Sequence, residues 1–123
     1  MPTAESVFAL VDKQDVQGIG ALLAPRARFA IGNREPADGR DEIVATQGIF
    51  FTLVQGLRHE LLREWAVDDT TIAETSVTYT RLDGRDVTVP AVSIWTVDEA
   101  GLITDFRVFI DQSPVFFEEP LEC

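Results

Sequence analysis

His59 is the only histidine in the chain, and imidazole is the side chain best suited to carry a proton near neutral pH. It lies in a stretch of period-two hydropathy and shares its parity with Leu57, Leu61, Trp65 and Val67. That is the more apolar parity, so the ring is expected to point inward, either as a proton carrier or as a core histidine bonded to a neighbour. Arg63 has the same parity and suits an anionic or enolate oxygen, or an ion pair with an acidic side chain. Tyr79 follows Thr75 and Val77 on the apolar side of the next stretch, where a phenol can donate to a ligand oxygen or to a structural partner. Asp111 closes the last apolar stretch. Apolar surroundings would raise its pKa and make it a general acid or base; otherwise it caps the terminal turn through the amides of Ser113 or Val115. Alternation sets Asp111 with Arg107 and Phe109, opposite Phe106, Val108 and Ile110, so catalysis needs a bulge or the strand end to turn it inward. These four form the catalytic set for taking a proton from carbon beside a carbonyl. His59 or Asp111 is the base, and Tyr79 or Arg63 stands at the enolate oxygen.

Such a set must be held by neighbouring elements. Thr3 is a helix N-cap with Glu5 in the first turn, and Val7, Phe8, Leu10 and Val11 follow at helical spacing. Asp15 caps a second, short helix that Pro25 ends; its Gly18 and Gly20 weaken it but permit close packing against a sheet. Residues 26–31 read as a short strand, Gly32-Asn33 as a turn, and Arg34-Glu35-Pro36 as a brief return. Asp41 and Glu42 open a third helix, whose stripe runs through Ile43, Val44, Ile49, Phe50, Leu53 and Val54 to a C-cap at Gly56. From Leu57 onward the period changes to two. Four long strands are expected over 57–67, 70–82, 85–97 and 102–111, with Asp83-Gly84 as a hairpin signal, and Ser113-Pro114 begins a short terminal helix or coil. Helices first and an antiparallel meander after is an α+β layout, with three helices packed on one face of the sheet. Long strands coil, so the four of them and the short N-terminal hairpin are expected to form a curved, cone-shaped sheet around an internal cavity.

On that reading Phe8, Phe29, Trp65, Val92, Ile94, Phe106 and Val108 line the pocket, which takes an apolar small molecule. The opposite parity leaves Ala91, Ser93, Trp95, Val97 and Phe109 as an apolar patch on the outer sheet face. Soluble monomers rarely expose such a patch, so a homodimer through this face is expected.

Composition narrows the partners. With 123 residues the chain fits a single domain, 1–123, and its hydrophobic share of 46% supports one core. A net charge of −11 repels phosphate backbones and anionic membrane surfaces, which argues against nucleic acid and membrane as partners. Cys123, the one cysteine, allows no intrachain disulfide and fits the reducing cytoplasm. The N-terminus reads without a signal peptide, and no apolar stretch is long enough to span a bilayer. No glycine-rich phosphate loop, nucleophile elbow or metal-ligand cluster is spaced for function, so no cofactor or metal is expected.

Several segments carry a resemblance: Asp15-Val16-Gln17-Gly18-Ile19, Gly39-Arg40-Asp41-Glu42-Ile43, 79–84, Gly101-Leu102-Ile103, and Arg107-Val108-Phe109-Ile110-Asp111. In that order and spacing the chain resembles the SnoaL-like polyketide cyclase branch of the nuclear transport factor 2-like superfamily, which includes ketosteroid isomerases. The resemblance implies a cystatin-like α+β barrel and a dimer. It also tests known chemistries position by position. The isomerase carboxylate base, tyrosine and protonated aspartic acid fall on Ala30, Phe8 and Val92, none of which moves a proton. The limonene-epoxide hydrolase pair falls on Glu74/Ser76 or Ser76/Thr78, and its second aspartate on Val108, so that set is absent as well. The acid–base aspartate of the polyketide cyclases falls on Asp111. The resemblance thus favours a cofactor-independent cyclase- or isomerase-like enzyme acting on an apolar carbonyl compound. The other readings are a non-catalytic binding domain for an apolar small molecule and a dimeric interaction module.

Overall fold

A computed structural model describes residues 2–116; Cys123 lies outside them. Helix α1 (Ala4–Asp12) begins at Thr3, whose Oγ1 accepts from the Ser6 amide at 3.2 Å, and it buries Ala4, Val7 and Phe8. Helix α2 (Val16–Ala21) begins at Asp15, whose carboxylate accepts from the Gly18 amide at 2.9 Å. A Cβ at Gly18 would lie 2.6 Å from Leu10 Cδ2, and one at Gly20 would lie 3.0 Å from Val44 Cγ2. The two glycines therefore pack the short helix against its helical neighbours, not against the sheet.

Strand β1 (Leu23–Ile31) starts three residues earlier than the sequence suggests and contains Pro25. The ladder to its neighbour is irregular between Leu23 and Arg28, so the proline, which lacks an amide hydrogen, sits where pairing is interrupted. Arg34-Glu35-Pro36 is part of the turn, and the return strand is β2 (Ala37–Asp38). Helix α3 (Arg40–Phe51) ends at Thr52, whose hydroxyl donates to the Ile49 carbonyl at 2.6 Å. Leu53 and Val54 match the helical stripe, but the chain has already left the helix there. Short apolar runs satisfy both periods. Strands β3 (Val54–Val67), β4 (Thr70–Arg81), β5 (Asp86–Val97) and β6 (Ile103–Ile110) follow, and one helical turn, α4 (Ser113–Phe116), closes the described chain.

The six strands make one curved, unclosed sheet in the order β2-β1-β6-β5-β4-β3. Its pairs are antiparallel except β1 with β6, which is parallel. The inner face of β4 presents Thr71, Ala73, Thr75, Val77 and Tyr79, all buried. Register with β5 then fixes the inner face of that strand: Tyr79 pairs with Val87, Ala73 with Ser93 and Thr71 with Trp95.

That register corrects two expectations. Val92 and Ile94 lie on the outer face, while Ala91, Ser93, Trp95 and Val97 are buried on the inner one. Both parities of β5 carry apolar residues, so hydropathy alone favoured the two larger β-branched side chains. Trp95 is 0% exposed; its ring stacks on Phe106 at 5.2 Å and meets Phe8 edge-on at 6.0 Å.

A bulge in β3 corrects two more. Leu61 pairs with Thr75 but Arg63 pairs with Glu74, leaving Leu62 as an extra residue. One added residue reverses the side-chain parity beyond it. Glu64 therefore turns to the inner face, where it accepts from the Ala4 amide at 3.4 Å, and Arg63, Trp65 and Val67 turn outward. Trp65 is 47% exposed and does not line the interior. No helix of the described chain is long and apolar enough to cross a membrane.

Candidate functional site

Buried side chains fall into two clusters, one around Phe8, Trp95 and Phe106 and one around Val77, Tyr79 and Val115. Between them lies an apolar recess of about 120 Å³ under α1 and α3. Of the pocket residues expected from sequence, Phe8, Phe29, Phe106 and Val108 line it; Trp65, Val92 and Ile94 do not. Of the catalytic candidates, His59 and Tyr79 line it, and Arg63 and Asp111 do not.

His59 is held by a residue that sequence reading missed. The Asp12 carboxylate accepts from the His59 amide at 2.9 Å and lies 2.6 Å from ring Nδ1. A carboxylate accepts and does not donate, so Nδ1 carries the hydrogen, and Nε2 is the lone-pair nitrogen of the neutral ring. Nε2 has no protein partner among the described residues. Phe8 stacks on the imidazole at 4.5 Å with planes 12° apart. Phe8 and Asp12 stand four residues apart on α1, so the same helix face delivers the stacking ring and the carboxylate. A signal for Asp12 was present in the sequence. It is the last residue of α1, where an acidic side chain meets the negative end of the helix dipole and is unfavourable unless something else holds it.

Tyr79 is buried, and burial pushes its phenol above the ordinary range; the Gln112 hydrogen bond and the Arg34 charge offset part of that rise. Gln112 Nε2 donates to Tyr79 Oη at 3.0 Å, which leaves the phenol hydrogen for another acceptor. Phe50 meets the Tyr79 ring edge-on at 6.0 Å. Arg34, which also lines the recess, lies over Phe50 and Phe116 at 5.7 and 5.4 Å.

The other two candidates point away. Asp111 is exposed, and hydrogen bonds from Ser113, first from its side chain and then from its amide to Oδ1 at 3.0 Å, hold its carboxyl below the ordinary value. It caps the terminal turn, and β6 carries no bulge near its end that would bring it inward. Arg63 pairs with Glu74 at 3.6 Å on the outer face. His59 and Asp111 therefore do not act on one ligand. Among the described residues, no group of three or more acidic, histidine or cysteine side chains converges as a metal site.

The SnoaL-like domain family matches residues 4–106, most of the chain. The chain belongs to that family. No curated protein matches the SnoaL-like chain in sequence. Solved structures match it in fold. A nuclear transport factor 2-like protein of unknown function from Burkholderia pseudomallei is 19% identical, with 89% of this chain and 88% of that one covered and a TM-score of 0.81. TerC, co-crystallised with polyporic acid, is 19% identical over 88% of each chain, with a TM-score of 0.77. A protein assigned as a SnoaL-like polyketide cyclase from Jannaschia sp. CCS1 is 19% identical over 91% of this chain and 87% of that one, with a TM-score of 0.74. At these identities the likeness is one of fold.

Proposed function

We propose that this SnoaL-like domain is a cofactor-independent enzyme of the cyclase or isomerase kind, moving a proton on an apolar carbonyl compound. The observation that carries the reading is the Asp12–His59 pair set beside an apolar recess. Neutral His59 takes a proton from carbon beside the carbonyl through Nε2. The C–H bond breaks, an N–H bond forms, and the electron pair moves onto the carbonyl oxygen. Asp12 keeps the ring in the tautomer that can accept and stabilises the cation that forms. Tyr79 donates its free phenol hydrogen bond to the oxygen as charge develops there. Return of the proton to another carbon completes an isomerisation; in a cyclisation the enolate carbon attacks a second carbonyl, its C=O π bond breaks to an alkoxide, and His59 returns the proton to that oxygen. The co-crystallised polyporic acid of TerC supports an organic ligand in this fold.

The test is exchange of α-hydrogens of apolar ketones in D2O, followed by NMR. Exchange by the wild-type protein that His59→Gln abolishes, with the melting temperature kept, supports the reading. Absence of exchange for every ketone that binds leaves the non-catalytic binder, which the outward Asp111 favours.

The same reading includes a cytoplasmic homodimer that uses neither membrane nor nucleic acid. Its contact face differs from the expected one. Trp65, Ile72 and Ile94 align across three strands on the outer face, with Val92 and Phe109 paired in the next row. Trp65 at 47% and Phe109 at 55% exposure are large apolar groups left to solvent in a monomer.

A further inference from the structure

Four polar side chains are buried among the described residues: Thr71, Thr75, Ser93 and Gln112. Three have partners. Thr75 donates to the Ala91 carbonyl, Gln112 donates to Tyr79, and Thr71 is also engaged. Ser93 is the exception. It is 3% exposed and lines the recess, and no described residue hydrogen-bonds its hydroxyl. The fully enclosed side-chain polar atom without a partner among the described residues is Gln14 Nε2, so the Ser93 oxygen keeps access to the recess, where a ligand group can meet it.

Its place in the sheet says what would meet it. Ser93 pairs with Ala73 on β4 and with Val108 on β6, whereas His59 pairs with Val77 on β4. Ala73 and Val77 are four residues apart, about 13 Å along the strand. The hydroxyl therefore stands on the wall well away from the proton-transfer group. The inner-face residues around it are Ala73, Ala91, Trp95 and Val108, none of them charged. None of these neighbours offers an anionic group a counter-ion, so they favour a neutral partner.

We infer that the ligand carries two oxygen functions on one apolar frame: the carbonyl that His59 and Tyr79 address, and a hydroxyl or second carbonyl hydrogen-bonded by Ser93. This rests on the proton-transfer reading of the same recess and makes Ser93 a specificity residue within it. A serine hydroxyl both donates and accepts, so it takes either oxygen type. A ligand with only the carbonyl leaves Ser93 unpartnered and binds less tightly.

The experiment is calorimetric titration with 1-tetralone and its 5-, 6- and 7-hydroxy derivatives. At least one hydroxy derivative is expected to bind the wild-type protein about tenfold tighter than 1-tetralone, the usual effect of one hydrogen bond. Ser93→Ala should erase that preference and keep the melting temperature. If all four ketones bind with affinities that Ser93→Ala leaves unchanged, the role of Ser93 is overturned and the carbonyl reading survives. A marked fall in melting temperature on Ser93→Ala also overturns it, because the hydroxyl is then structural. If none of the four binds the wild-type protein, both readings fall together.

Discussion

Asp12 holds His59 at two points, the backbone amide at 2.9 Å and ring Nδ1 at 2.6 Å, with one carboxylate. The first contact ties the end of α1 to β3; the second selects the tautomer. Asp12→Asn separates the two. An amide oxygen can still accept from the His59 amide, but the side chain no longer supports a cationic ring. Turnover of a bound ketone is expected to fall by about 100-fold or more, the range for losing a positioned acid–base group. The melting temperature should move little. Equal loss of folding and activity would make Asp12 a structural tether only.

Tyr79 is the chain's one tyrosine, so its ionisation reads out alone in ultraviolet difference absorbance. Burial raises its folded-state pKa above the ordinary 10.0, while the unfolded chain ionises at the ordinary value. The folded protein thus keeps the proton longer. The stability tied to this group is fully present below pH 10.0 and is lost as pH rises through the higher folded value. Phenolate should appear only above pH 10.0 and together with loss of near-ultraviolet circular dichroism. Tyr79→Phe leaves the Gln112 amide without its partner and should cost about 1–3 kcal/mol in urea unfolding. It should also slow proton exchange, because the oxygen of the substrate loses its donor.

Asp111→Asn is expected to leave turnover unchanged, since the exposed carboxylate caps the turn at Ser113. Its depressed pKa sets the opposite pH sign. Its small contribution is present above the ordinary 3.8 and fades as pH falls through the lower folded value. Thermal melts of wild type and variant should therefore differ at pH 7 and converge in strong acid. A loss of turnover in Asp111→Asn at pH 7, with the fold intact, would return this residue to the site.

Much of the architecture was legible because it rests on local signals. Thr3 and Asp15 cap α1 and α2 as their residue types dictate, and the period of two marks β3 to β6. Face assignment was legible only where one parity was clearly more apolar, as for Tyr79 on β4. On β5 both parities are apolar, and only the turn at Asp83-Gly84 counts the register correctly: Thr80 pairs with Asp86, which sends the odd-numbered residues of β5 inward with Tyr79. On β3 the extra residue Leu62 has no glycine to announce it, so Trp65 and Arg63 were carried past it on the parity of His59. Asp12 was hidden for a different reason. Its contact with His59 spans 47 positions, and no periodicity within α1 reports what a helix end touches.

The outer-face rows carry the last prediction. Trp65, Ile72 and Ile94 run across β3, β4 and β5, and Phe109 on β6 lies beside Val92 on β5. A symmetric partner sheet would remove these side chains from water, each large one contributing about 1.5–3 kcal/mol when fully buried. The net charge of −11 on each copy opposes association, so the apolar rows must outweigh it, and added salt should tighten the dimer by screening that repulsion. Light scattering should give a mass near twice 13.6 kDa for the wild-type chain. Phe109→Asp places a like charge on each side of the contact and should shift the mass to that of one chain. The recess lies on the other face, so the monomeric variant should still bind ketones. A wild-type mass of 13.6 kDa at micromolar concentration and moderate salt would remove the dimer.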